Sequence, residues 1–117
     1  MSCLSLSSSP LPDPEAALKL SALGSLARLS VYRTLLRSGA GGATLAQLRK
    51  RTTIPASTLR HHLTALVRAG LVEEDRASRQ LRCVARFDEI KRLKSFMLRD
   101  CCTQEHMLGT VAASNRF

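Results

Sequence analysis

The 117-residue sequence has no Trp, one Tyr and three Phe, and its acidic residues are few: nine Asp and Glu against 18 Lys and Arg, for a net charge of +9. Without Trp, and with no helix that sets a basic face against exposed Phe, an interfacial membrane anchor is disfavoured. The apolar runs are short, so no stretch spans a bilayer. The first ten residues lack the basic start and sustained apolar core of a secretory signal, which leads us to expect a cytoplasmic protein whose four cysteines are thiols. Carboxylates are absent between Glu15 and Glu73, whereas Lys19, Arg28, Arg33, Arg37, Arg49, Lys50, Arg51, Arg60 and Arg68 all lie there. A segment so one-sided in charge is the electrostatic footprint of a phosphate-binding surface. A chain of this length makes one domain with a modest core, small enough to want a partner subunit.

Residues 1–12 are Ser/Pro-rich and read as a flexible tail. Asp13-Pro14 is a helix start, with Asp as N-cap and Pro at the first helical position, and the helix runs to about Leu23 before Gly24. A second helix is expected from about Ser25 to Ser38, with Leu26, Leu29, Tyr32 and Leu36 inward and Gly39 ending it. After the Gly39–Gly42 loop, Thr44-Leu45-Ala46-Gln47 matches a capping box and opens a short third helix to about Lys50.

The fourth helix organises the chain. Pro55 stands where a first turn tolerates it and Gly70 where a helix ends, and Leu59, Leu63 and Leu66 recur between them at i, i+4, i+7. Ser57, Thr58, Arg60, His61, Thr64 and Arg68 are left to the outer side, a surface rich in donors and positive charge without a carboxylate. Hydroxyl, imidazole and guanidinium groups so displayed suit base edges and phosphates of the DNA major groove; the bland alternative is a solvated helix face. A short helix, a turn at Thr52-Thr53 and this second helix form a helix-turn-helix unit.

Beyond Gly70 the period changes. Leu71–Glu74 and Gln80–Ala85 flank a polar Asp75–Arg79 tip and predict a β-hairpin wing, whose Arg76, Arg79 and Arg82 would meet phosphates beside the groove. A last helix is expected from about Asp88 to Cys102, with Ile90, Leu93, Met97 and Cys101 on one face. The expected fold is therefore mainly α with a β-hairpin wing, a winged helix-turn-helix over residues 13–103, followed by a flexible tail at 104–117. Ala16, Ala17 and Leu20 of the first helix and Ile90, Leu93 and Met97 of the last have no evident cover in one subunit, so a homodimer is expected.

The run Ala22-Leu23-Gly24-Ser25-Leu26-Ala27-Arg28-Leu29-Ser30-Val31-Tyr32-Arg33-Thr34-Leu35-Leu36 resembles the opening helix signature of the ArsR/SmtB winged-helix repressors. Pro55–Leu63, followed by Leu66–Leu71, resembles their recognition helix, and the resemblance spans roughly residues 14–103. It implies a homodimer that binds double-stranded operator DNA and releases it on sensing an effector. In one arsenical-responsive subgroup the last helix often ends in a vicinal cysteine pair like Cys101-Cys102. The founding pattern also has a Cys-Val-Cys sequence in the third helix. Here Leu45-Ala46-Gln47-Leu48-Arg49 stands instead, which excludes a site there.

Adjacent thiolates are soft ligands for thiophilic ions and organometalloids. A trivalent arsenical is thus the expected effector at Cys101 and Cys102, and no resident cofactor is called for. Two thiols suit a monomethylated species. Inorganic arsenite or antimonite would want a third, for which Cys83 is the possible ligand, although strand alternation favours Cys83 as a packed residue. Zinc is the rival, through Cys83, Cys101, Cys102 and His106. The bland readings of the pair are two small buried residues or a strained vicinal disulfide. A thiol enzyme fits poorly, because Cys101 and Cys102 sit at a helix C-terminus, where the helix dipole disfavours the thiolate.

Overall fold

A computed structural model describes residues 10–77 and 79–103, with backbone alone at 100–103. Helix α1 covers Asp13–Leu23 and α2 Leu26–Ser38, followed by a 3-10 turn at Gly39–Gly41. Strand β1 (Ala43–Thr44), α3 (Leu45–Thr52), α4 (Ala56–Arg68), the wing strands β2 (Val72–Asp75) and β3 (Arg82–Ala85), and α5 (Phe87–Thr103) complete the chain. No described helix is long and apolar enough to cross a membrane.

Local chemistry sets the boundaries. The Ser25 hydroxyl accepts from Arg28 N–H at 3.2 Å and starts α2. The predicted capping box is present at α3: Gln47 N–H donates to Thr44 Oγ1 at 3.2 Å, and Thr44 N–H donates to Gln47 Oε1 at 2.9 Å. The two proline starts each shift by one residue, α1 beginning earlier and α4 later than the sequence suggests. Pro12, not Asp13, is the N-cap of α1, and Pro55 is the N-cap of α4, each with the extended ψ a cap requires. Gly70 closes α4 at φ 78°, with Gly70 N–H donating to the Val67 carbonyl and Leu71 N–H to the Leu66 carbonyl. That pair of bonds is a Schellman motif, with Leu66 and Leu71 both fully buried in the same core cluster.

Most of the core is one cluster. Leu59, Leu63 and Leu66 of α4 pack with Val31, Tyr32 and Leu35 of α2, with Leu48 of α3, and with Val72, Cys83 and Ala85 of the wing root. Against the expectation of an inward Leu26 and Leu29, Leu26 is 86% exposed and Leu29 37%. The buried side of α2 is instead Val31, Tyr32, Thr34 and Leu35. A second small cluster joins Leu11, Ala16 and Leu93. Leu11 is thus packed rather than part of a flexible tail, and Ala16 and Leu93 find within the subunit the cover expected from a partner. Leu18, Leu20, Met97 and Leu98 remain exposed.

The sheet has three strands, not two. Its order is β1-β3-β2, all antiparallel, with Ala43 opposite Cys83 and Val72 opposite Ala85. β1 comes against β3 because Gly42, at φ 68°, carries no Cβ. A Cβ there would overlap the Cys83 carbonyl oxygen and approach Val84 Cγ2 to 2.7 Å.

Candidate nucleic-acid interface

The turn between α3 and α4 is Thr53-Ile54-Pro55, with Thr53 left-handed at φ 57° and its N–H donating to the Arg49 carbonyl at 2.8 Å. It presents α4 with its leucines buried and Ser57, Thr58, Arg60, His61, Thr64 and Arg68 all exposed. At about 100° per residue, five of these side chains leave the helix within roughly a 100° arc, and Thr58 stands at the margin. The helix contains no Asp or Glu, so this arc carries hydroxyl, imidazole and guanidinium groups alone. Thr64 Oγ1 donates to the Arg60 carbonyl at 2.9 Å, which orients its oxygen without spending its acceptor capacity.

His61 and His62, adjacent in sequence, have separate roles. His61 is exposed on the arc, while the half-buried His62 accepts from Arg28 Nε through Nδ1 at 3.4 Å. Burial, then Arg28 and then His61 lower the pKa of His62 from the ordinary histidine value. Arg28 also donates to the Ala22 carbonyl at 3.3 Å. It ties the α1–α2 corner to α4 rather than serving a phosphate surface.

The wing lies beside this arc. Arg76 and Arg79 are exposed, and Arg76 makes a solvent-screened 3.4 Å contact with Glu74. The tip begins as an Asx turn, Ala77 N–H donating to Asp75 Oδ1 at 2.9 Å, and Ser78 lies outside the described residues. Arg82 departs from the expected wing set. It is half-buried and donates to the Gly41 carbonyl at 3.4 Å, drawn to the loop by the pairing of its strand with β1. Between α4 and the wing is a cleft of about 460 Å³ whose walls include Leu63, Leu81 and Cys83 together with Arg60, Thr64 and Glu74.

Beneath the arc, α4 is held by a group the sequence reading did not single out. Lys19 of α1, with 5% exposure, donates from Nζ to the Ala69 carbonyl at 2.8 Å and pairs with Glu89 of α5 at 3.4 Å. Arg92 closes the network on both oxygens of Glu89 at 3.1 Å. The signal was present in the α1 spacing, since Ala16, Lys19 and Ala22 form its buried stripe. A lysine on an apolar stripe is ordinarily taken as a boundary residue.

Of the candidate effector ligands, Cys83 is 2% exposed, and burial, aided by Glu74, pushes its thiol up to about 11. The side chains of Cys101 and Cys102 and the whole of His106 lie outside the described residues. Among the described residues no three His, Cys, Asp or Glu side chains come together as a metal site.

A helix-turn-helix domain family model matches residues 23–75, which hold α2 through β2. Among solved structures, the chain is similar to an ArsR-like transcriptional regulator from Rhodococcus sp. RHA1, at TM-score 0.68 and 21% identity over 89% of this chain and 96% of that one. This is a winged helix-turn-helix domain. A homodimeric winged helix-turn-helix DNA-binding domain, Mb0332 from Mycobacterium bovis, is similar at TM-score 0.60 and 24% identity, over 82% of this chain and 84% of that one. A mutant of MepR from S. aureus bound to oligodeoxyribonucleotide is similar at TM-score 0.54 and 19% identity, over 88% of this chain and 75% of that one. No curated protein matches the sequence. In this winged helix-turn-helix domain, α3 and α4 are the helix-turn-helix pair and β2–β3 the wing.

Proposed function

We propose that this chain is a dimeric transcriptional repressor of the ArsR type that reads double-stranded operator DNA with α4 and holds its backbone with the wing. One observation carries the proposal: the exposed arc of α4 gathers Ser57, Arg60, His61, Thr64 and Arg68 with no carboxylate, next to the exposed Arg76 and Arg79. Exposed Leu18 and Leu20 on α1 and Met97 and Leu98 on α5 supply apolar surface for a second subunit. The homodimeric Mycobacterium bovis domain and the oligonucleotide-bound S. aureus regulator are precedents for both partners. The test is a footprint upstream of the chain's own gene, followed by titration of wild type and Arg60→Ala on that duplex and on scrambled DNA. Arg60→Ala weakens operator binding by about 1–3 kcal/mol, more than it weakens binding to scrambled DNA, as a base contact does. Equal losses on both duplexes reject α4 as the reading element.

The effector in this proposal is a trivalent arsenical, favoured as monomethylarsenite, bound by Cys101 and Cys102 at the end of α5. The raised, buried thiol of Cys83 supports two-thiol ligation over inorganic arsenite with a third sulfur, because the ligating form is the thiolate. Zinc through Cys83 faces the same obstacle. Cys101→Ser or Cys102→Ser abolishes arsenical-driven DNA release while repression persists, and Cys83→Ser leaves release intact. Loss of release in Cys83→Ser makes inorganic arsenite the favoured effector.

A further inference from the structure

Three guanidiniums line one polar cavity. It measures about 630 Å³ and is lined by Arg37 and Ser38 at the end of α2, Gln47 and Arg51 of α3, and Arg82 of β3, with Thr34 behind them. No carboxylate lines it, and among the described residues none of the three arginines has an ion pair. We propose that Arg37, Arg51 and Arg82 form a binding site for a phosphate group, distinct from the arc of α4.

The arginines are set in place by neutral acceptors. Arg37 donates to Thr34 Oγ1 at 3.5 Å, Arg51 to Ser38 Oγ at 3.0 Å and Arg82 to the Gly41 carbonyl at 3.4 Å. Thr34 and Ser38 are themselves locked, their hydroxyls donating to the Ser30 and Thr34 carbonyls at 2.9 and 2.8 Å. Each guanidinium spends one of five N–H donors on these contacts, and each keeps its full charge. The competing account is that they neutralise helix ends, since α2 and α3 both terminate here. Each helix C-terminus carries only about half a negative charge, so some two positive charges remain uncompensated. Like charges held together on fixed supports want a counter-ion, and the planar guanidinium fork matches a tetrahedral oxyanion. The absent Cβ of Gly42 completes the site, because the β1–β3 approach it permits is what carries Arg82 to the end of α2.

The phosphate could be free, as inorganic phosphate or on a small molecule, or could belong to a DNA backbone running past α3. Two measurements on the full chain separate these sources. Inorganic phosphate and pyrophosphate are titrated against wild type, Arg37→Gln/Arg51→Gln and Arg51→Lys, following the arginine Nε–H resonances by NMR at fixed ionic strength. The salt dependence of affinity for duplex DNA is measured for the same proteins. Saturable phosphate shifts in wild type, weakened at least tenfold in the double variant and partly retained in Arg51→Lys, assign a free-phosphate site if the salt slope is unchanged. A salt slope reduced by about one per arginine removed assigns a backbone phosphate instead. Both results together assign one site open to either source. If the double variant matches wild type in both measurements, the inference is overturned.

Discussion

Lys19 Nζ meets the Ala69 carbonyl at 2.8 Å, so the last turn of α4 is capped by an ammonium from α1 that Glu89 of α5 holds from the other side. A cation at a helix C-terminus complements the dipole, and the pairing with Glu89 offsets part of its desolvation. Lys19→Met deprives a helix carbonyl of its donor and leaves the nearly buried Glu89 to Arg92 alone, and lowers stability by about 1–3 kcal/mol in chemical denaturation. Glu89→Leu, which takes the carboxylate from both Lys19 and Arg92, costs more than Lys19→Met. A single-variant loss below about 0.5 kcal/mol would show the pair to be energetically idle.

Tyr32 is 1% exposed, and its hydroxyl has no hydrogen-bond partner among the described residues. Burial first, then Asp88 and Glu89, push its pKa up to about 12, so the phenol stays neutral at any working pH. Tyr32→Phe removes an unsatisfied polar atom while keeping the ring, and thermal unfolding shows it equal to wild type or more stable by up to about 1 kcal/mol. A loss above 1 kcal/mol would reveal a hydroxyl partner.

The folded-state pKa of His62 lies below its unfolded value, so the unfolded chain binds the extra proton first. Stability is therefore full above the ordinary histidine pKa of about 6.5 and declines as pH falls through it toward the lower folded value. His62→Gln keeps an acceptor for Arg28 and removes the titration. The fall in urea midpoint between pH 8 and pH 5.5 is smaller in this variant than in wild type.

Thr53 holds φ 57° in the turn of the helix-turn-helix, a region that costs a β-branched residue about 1 kcal/mol or more. Thr53→Gly relieves that strain and raises thermal stability, with the greater freedom of the unfolded chain limiting the gain. A destabilised Thr53→Gly would mean that the Thr53 side chain matters more than its backbone.

Much of this architecture was legible in the residues because it rests on local chemistry. Thr44 and Gln47 announce their capping box, Gly70 its left-handed turn, and the leucines of α4 their buried stripe. Strand β1 was not legible, since two residues show no alternation and their partner lies far along the chain. Leu26 and Leu29 misled because periodicity identifies a stripe without saying which stripe the rest of the fold will cover. Lys19 and the trio of Arg37, Arg51 and Arg82 gain their meaning only from groups on other elements.

The wing differs from a free hairpin in the order in which it can form. Its central strand pairs on one side with β2 and on the other with β1, whose residues lie about forty positions upstream. That second ladder closes a loop containing all of α3 and α4, so it forms only once those helices have docked. Amides at the root of the wing, at Ala43 and Cys83, should exchange with solvent only on global unfolding, whereas those around Arg79 open on their own. In the proposed complex the wing tip can thus yield to DNA while its root stays fixed to α4.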